Sequence, residues 1–154
     1  IDVLNKCEAI DIIATDMNAD IAHYAEHILM PIGKPVYVYE NQDLQVHACL
    51  NLPSTHVVIL VTKTGFKRYI LDNARILCRR GITTIAITPD DKGPISKCVT
   101  YIIKAESNET FMKLRDVIFS ISTKFIFDLF FTSLCAINYE NTLNSDEFYN
   151  KTVD

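Results

Sequence analysis

At 154 residues, 49% hydrophobic and 22% charged, the chain can bury roughly 68–70% of its unfolded surface in one domain and is too apolar for an intrinsically disordered segment. Its net charge of −4 excludes a chain that wraps nucleic acid by itself. Five cysteines (Cys7, Cys49, Cys78, Cys98 and Cys135) are widely spaced with no C-x-x-C, which suits reduced thiols in a cytoplasm better than a disulfide framework or a zinc site.

The chain begins at Ile1 with no signal-like segment before it, which points to an excised or processed piece. Residues 9–14 are an apolar run closing on Thr15 and predict the first strand. Residues 18–32 carry Ile21, Ala25, Ile28 and Ile32 at helical spacing, with Ala22 and Leu29 beside them; Asn18 or Asp16 can cap this helix and Gly33 ends it. A second strand is predicted over 35–39 and a short helix over 44–50. Residues 57–61, all β-branched or aliphatic, run into Thr62-Lys63-Thr64-Gly65 and read as the central strand, buried on both faces. A helix over 66–80 with Ile70, Ala74 and Leu77 on one face leads to a fourth strand over 82–88, a turn over 89–94 and a fifth strand over 99–103. A long helix follows over about 109–138, then a polar tail over 139–154, so the domain is expected to span 1–138. The most apolar run, 125–137, is shorter than the ~20 residues a membrane span needs and is predicted to be a buried helix. Asp128 inside it calls for a structural hydrogen bond, with Lys124 one turn earlier as a partner.

Strands alternating with helices imply βαβ crossovers and a parallel sheet, an α/β fold whose ligands bind beyond the carboxyl ends of the strands. Thr15, Thr62 and Thr88 end the first, third and fourth strands and arrive at that edge. Thr62-Lys63-Thr64-Gly65 before a helix brings hydroxyls, backbone N–H groups and a positive helix end to one point, which makes an anion cradle. Lys63, Lys67, Arg68, Arg75, Arg79 and Arg80 add charge against one acid, Asp72. The competing reading has the hydroxyls as helix caps and the basic residues as a solvated face.

His23-Tyr24-Ala25-Glu26-His27 fits H-x-x-E-H, a zinc pattern, but at 100° per residue both histidines point away from the inward stripe. No metal and no cofactor are therefore expected. No G-x-G-x-x-G follows the first strand, against a dinucleotide fold, and Thr62 stands where a response-regulator receiver needs an aspartate.

In this order, Thr62-Lys63-Thr64-Gly65-Phe66-Lys67, Ile87-Thr88, Gly93-Pro94-Ile95, Glu109 and Asp128 resemble the sugar isomerase (SIS) domain. The version most similar is the carboxyl-terminal half of RpiR-type bacterial transcriptional regulators. The resemblance runs over about 4–138 and implies a three-layer sandwich with a five-stranded parallel sheet, flavodoxin-like. It departs from the family at Ala14-Thr15-Asp16-Met17-Asn18, where a G-x-G-x-S loop has lost both glycines, at Lys67 in place of a threonine, and at Thr100 in place of an aspartate. The Asp16 carboxylate would repel a phosphomonoester.

The resemblance implies a cytoplasmic phosphosugar sensor that dimerises and reports to DNA only through an amino-terminal helix-turn-helix domain outside this chain, with no membrane partner. Its ligand contacts would be Thr62, Lys63, Thr64, Gly65, Lys67, Asn18, Thr15 and Thr88. The last helix, with Phe119, Phe125, Phe127, Phe130 and Phe131 on several faces, would be the dimer seam or else lie sandwiched within one monomer. Two alternatives stand beside the sensor: a structural dimerisation module that binds nothing, and an isomerase whose base would come from Glu106, Glu109, His47 or His56.

Overall fold

Five short β-branched and aliphatic runs pair side by side because each can be covered on both faces. A computed structural model describes residues 1–108, 110–139 and 143. In it β1 (Ile10–Ile13), β2 (Val36–Tyr39), β3 (Val57–Val61), β4 (Thr83–Thr88) and β5 (Tyr101–Lys104) form one all-parallel sheet in the order β2-β1-β3-β4-β5. The predicted central strand is central, and every residue of β3 is buried. Successive side chains point to opposite faces, so Val57, Ile59 and Val61 enter one core while Val58 and Leu60 enter the other.

The first core lies under α1 (Asp2–Lys6), α2 (Met17–Leu29) and α5 (Met112–Ile137), which contribute Leu4, Ala22, Ala25, Leu29, Phe119 and Phe127. The second lies under α3 (Gln42–Asn51) and α4 (Arg68–Arg79), which contribute Cys49, Ile70, Ala74 and Leu77. Three layers result, as expected.

Several boundaries differ from those predicted, each for a local reason. The first long helix stops at Leu29, because Pro31 has no N–H for the next helical bond; a single 3₁₀ turn, Met30–Ile32, carries the chain to Gly33. α4 begins at Arg68 rather than at Phe66, which is 60% exposed in the preceding loop. β5 begins at Tyr101: Thr100 instead exchanges hydrogen bonds with Thr84, each hydroxyl accepting the other's backbone N–H at 3.1 and 3.0 Å. That pair fastens β5 to β4.

α5 corrects a larger expectation. Its 125–137 run is not a buried helix. Phe119, Ile126, Phe127, Phe130 and Leu134 pack on the sheet, each burial contributing about 1.5–3 kcal/mol, with the Phe127 and Phe130 rings edge to face at 6.0 Å. Val117, Ile121, Phe125 and Leu129 lie on the other side and are exposed. By length and composition alone, 114–137 could cross a membrane, but its sheet-facing side belongs to the first core. Asp128 is not buried either. It sits at the flank, where Tyr24 donates a 2.5 Å hydrogen bond that holds its pKa down, with Lys124 at 3.0 Å adding to the effect as foreseen.

Candidate functional site

After β1 the chain steps outward to β2 and then returns to the other side of β1 with β3. The strand order therefore reverses between β1 and β3, and a crevice opens beyond their carboxyl ends. A cavity of about 320 Å³ occupies it. Thr15, Asp16, Met17 and Asn18 wall it from the turn after β1, and Thr62, Lys63, Thr64 and Lys67 from the loop after β3. Tyr69 and Ile70 come from the first turn of α4, and Asp116, Phe119 and Ser120 from α5.

The loop after β3 is shaped from within. The buried Thr62 Oγ1 accepts the Gly65 N–H at 3.1 Å, closing a tight turn with Gly65 at φ 63°. A Cβ on Gly65 would stand 3.3 Å from Ile95 Cγ2 and 3.7 Å from Thr88 Oγ1. The turn therefore needs glycine both for its backbone and for space. Ile95 is fully buried, placed by the 3₁₀ turn Pro94–Lys97. Thr88 lies beneath the loop, its hydroxyl accepting the Asp90 N–H at 3.4 Å, and is not on the cavity wall; neither is Gly65. Thr64 is exposed at the rim.

Two ammonium groups reach the cavity, and each meets a carboxylate. Lys63 Nζ donates to Asp116 Oδ1 on α5. Lys67, the residue before α4, lies 3.5 Å from Asp16 Oδ2 and 5.8 Å from the Tyr69 ring centroid. Burial alone would lower the Lys67 pKa, but Tyr69 and Asp16 outweigh it and hold the group above its ordinary value. The first turn of α4, with its unpaired N–H groups and partial positive charge, opens on the same space. The rest of the basic run disperses: Arg80 caps the end of α3 through Cys49 O at 2.6 Å and Leu52 O at 2.7 Å, while Arg68 and Arg75 pair with Asp72.

The turn after β1 is braced by a 2.9 Å hydrogen bond between the Thr15 and Tyr69 hydroxyls. Asp16 precedes α2 without capping it, and among the described residues it is the one non-glycine at positive φ (56°, with ψ −138°). Asn18 is the second residue of α2, and its N–H reaches Thr15 O at 3.1 Å. The expected cap is thus absent: neither Asp16 nor Asn18 closes the helix end through its side chain.

Of the proposed bases, His47 and His56 lie away from the cavity, while Glu106 lines an adjoining hollow with Lys63 and Thr64. His47 is exposed on α3, and the Glu106 carboxylate accepts the Ser107 and Asn108 N–H groups at 2.9 and 2.6 Å. Glu109 lies outside the described residues. His56 Nδ1 is 2.7 Å from Asp11 Oδ2, in a buried network completed by the Tyr39 hydroxyl at 3.0 Å. Burial pushes the Asp11 pKa up, against the pull of His56 and Tyr39. His23 and His27 are exposed, with His23 held between Glu26 at 2.9 Å and Glu40. Sequence reasoning missed Asp116 and Tyr69. Tyr69, two residues past Lys67 at the start of a predicted helix, could have been found; a single carboxylate 53 residues from its lysine could not.

The SIS domain family profile matches residues 3–133. The HTH-type transcriptional regulator RpiR of Escherichia coli (strain K12) is 26% identical over 115 residues, 75% of this chain and 39% of RpiR. The chain thus spans about two-fifths of that relative's length. Among solved structures, the Vibrio vulnificus NanR protein complexed with ManNAc-6P superimposes with a TM-score of 0.85 at 18% identity, covering 99% of this chain and 58% of that one. The sugar isomerase domain of the RpiR transcription factor from Sphaerobacter thermophilus gives 0.81 at 16% identity, over 97% and 82%.

Proposed function

This chain belongs to the SIS domain family, and from that premise we propose that it is the phosphosugar-sensing, dimerising half of an RpiR-type transcriptional regulator working in the cytoplasm. The observation that carries the reading is the cavity at the reversal of strand order, where Lys63, Lys67, Thr62 and Thr64 surround the start of α4. A phosphate set there receives hydroxyls, N–H groups and two cations from one loop. Thr15 and Asn18 face the sugar, while Gly65 and Thr88 shape the loop. The NanR structure was solved with a sugar phosphate, and RpiR is a regulator, which supports the same ligand class and role for this chain. DNA is then read by a helix-turn-helix domain outside this chain, and a second copy covers the outward side of α5. Ligand shifts the dimer only by its differential affinity for two arrangements.

Binding without isomerisation is the proposed activity: among the described residues neither His47 nor His56 lines the cavity, and Glu106, in the adjoining hollow with Lys63 and Thr64, has its carboxylate engaged by the Ser107 and Asn108 N–H groups. One observation favours a second reading, a dimerisation module that binds nothing: both lysines already face carboxylates. Thermal melting against sugar phosphates, with inorganic phosphate and free sugars as controls, separates the two. A ligand at a hundred times its Kd adds about 2.7 kcal/mol, or roughly 5–11 °C for a domain of this size. A rise with one phosphosugar that Thr64→Val removes supports the sensor; a flat panel at millimolar concentrations leaves the non-binding module.

A further inference from the structure

The turn after β1, one wall of the cavity, is tied to α4 at two successive residues. The Thr15 and Tyr69 hydroxyls share a hydrogen bond at 2.9 Å. One residue earlier, Ala14 O accepts from Gln45 Nε2 at 3.3 Å, and Gln45 Oε1 in turn accepts from Asn73 Nδ2 at 3.2 Å. Tyr69 and Asn73 stand four residues apart on α4 and so share one face of it. The Gln45 amide also donates to Tyr39 O at 2.9 Å and to Glu40 O at 3.3 Å, where β2 ends. Tyr39 O accepts the Ala14 N–H as well, at 3.3 Å, so both backbone groups of Ala14 belong to this one network.

Gln45 and Asn73 are both fully buried, on the helices that give Cys49, Ile70, Ala74 and Leu77 to the second core. Asn73 is a poor choice for packing alone. Its Oδ1 has no hydrogen-bond partner among the described residues, so it gives up hydration and receives nothing in return. An apolar residue of similar size fills the same place without that loss. The hydrogen bond that the Asn73 side chain does make is the one that holds Gln45 against the strand ends.

We infer that Gln45 and Asn73 are positioning residues of the cavity: with Tyr69 they clamp the turn after β1 to α4, so that the wall from Thr15 to Asn18 and the wall from Lys67 to Ile70 keep one spacing. Neither Gln45 nor Asn73 lines the cavity, and both act on it through Ala14. The clamp works on the empty site, so it stands whether or not a phosphosugar is what the cavity takes.

Amide hydrogen exchange on the 154-residue chain, followed by NMR with no ligand added, tests this. The Asn18 and Ala19 N–H groups, which close on Thr15 O and Asp16 O at 3.1 and 2.9 Å, report on the turn, and the Thr62 N–H, bonded to Ile87 O at 3.0 Å, reports on the sheet. In Asn73→Leu, exchange at Asn18 and Ala19 should quicken about 2–13-fold, the range of one net hydrogen bond, while Thr62 keeps its wild-type rate. Equal acceleration at all three amides would make Asn73 an ordinary packing residue, and unchanged rates at Asn18 and Ala19 would mean that the turn is held without it; either result overturns the inference. Should Asn73→Leu not fold, the same pattern is required of Tyr69→Phe, which takes away the hydroxyl that Thr15 shares, and its absence there overturns the inference as well.

Discussion

The two turns that wall the cavity solve one backbone problem in opposite ways. Each follows an apolar strand at the reversal of strand order, and each sets one residue at positive φ, 63° at Gly65 and 56° at Asp16. In the turn after β3 the residue is enclosed, with Ile95 3.3 Å from where a Cβ would stand. In the turn after β1 it looks into solvent, so a side chain costs backbone strain but meets no wall. Glycine is compulsory only where conformation and space both demand it; where only conformation does, a chemically useful side chain can stay at a cost of order 1–3 kcal/mol.

The largest expected effect comes from filling the enclosed turn. Gly65→Val combines strain with overpacking and should lower unfolding free energy by about 3 kcal/mol or more, read from the urea midpoint; a midpoint like that of the wild type would mean the turn is not packed as described. Next, Thr62→Val leaves the Gly65 N–H without its acceptor and should cost about 1–3 kcal/mol, whereas Thr64→Val at the exposed rim should stay within about 0.5 kcal/mol. In the open turn the sign reverses: Asp16→Gly relieves strain, less the entropy of a freer unfolded chain, and should raise stability by about 1 kcal/mol in the same assay. The smallest effect concerns pH. Glu26 on α2 first, then Glu40 just after β2, raise the pKa of His23 on α2, so its contribution is complete below the ordinary 6.5 and fades as pH rises through the raised value. His23→Gln should flatten that part of the melting-temperature profile, and an unchanged profile would place the pH dependence elsewhere.

Much of this architecture could be read from local pattern. The strands are continuous apolar runs, and the β3 loop advertises its chemistry in Thr62, Thr64 and Gly65 within four positions. Lys124 and Asp128 were also within reach, because i,i+4 spacing makes them neighbours on any helix. What escaped depends on tertiary contact. Asp116 joins the site only because α5, packed on the first core, brings it to Lys63 in the loop after β3, and Phe66 looked like the first residue of a helix because its apolar ring is indistinguishable, in sequence, from one that packs. The burial of α5 was misjudged for a similar reason: Phe125 and Phe127 carry the same ring two positions apart, one 59% exposed and the other fully buried. Hydrophobicity all round a helix does not say which side the fold covers.

That helix also sets a mechanical condition. Asp116, on the cavity wall, and Leu129, on the uncovered side, belong to one unbroken α-helix and lie about 20 Å apart along its axis at 1.5 Å per residue. A stiff rod needs no relay of intermediate contacts. A tilt of the helix at Asp116 would carry Ile121, Phe125 and Leu129 with it, because the cavity wall and the exposed row share one rigid element.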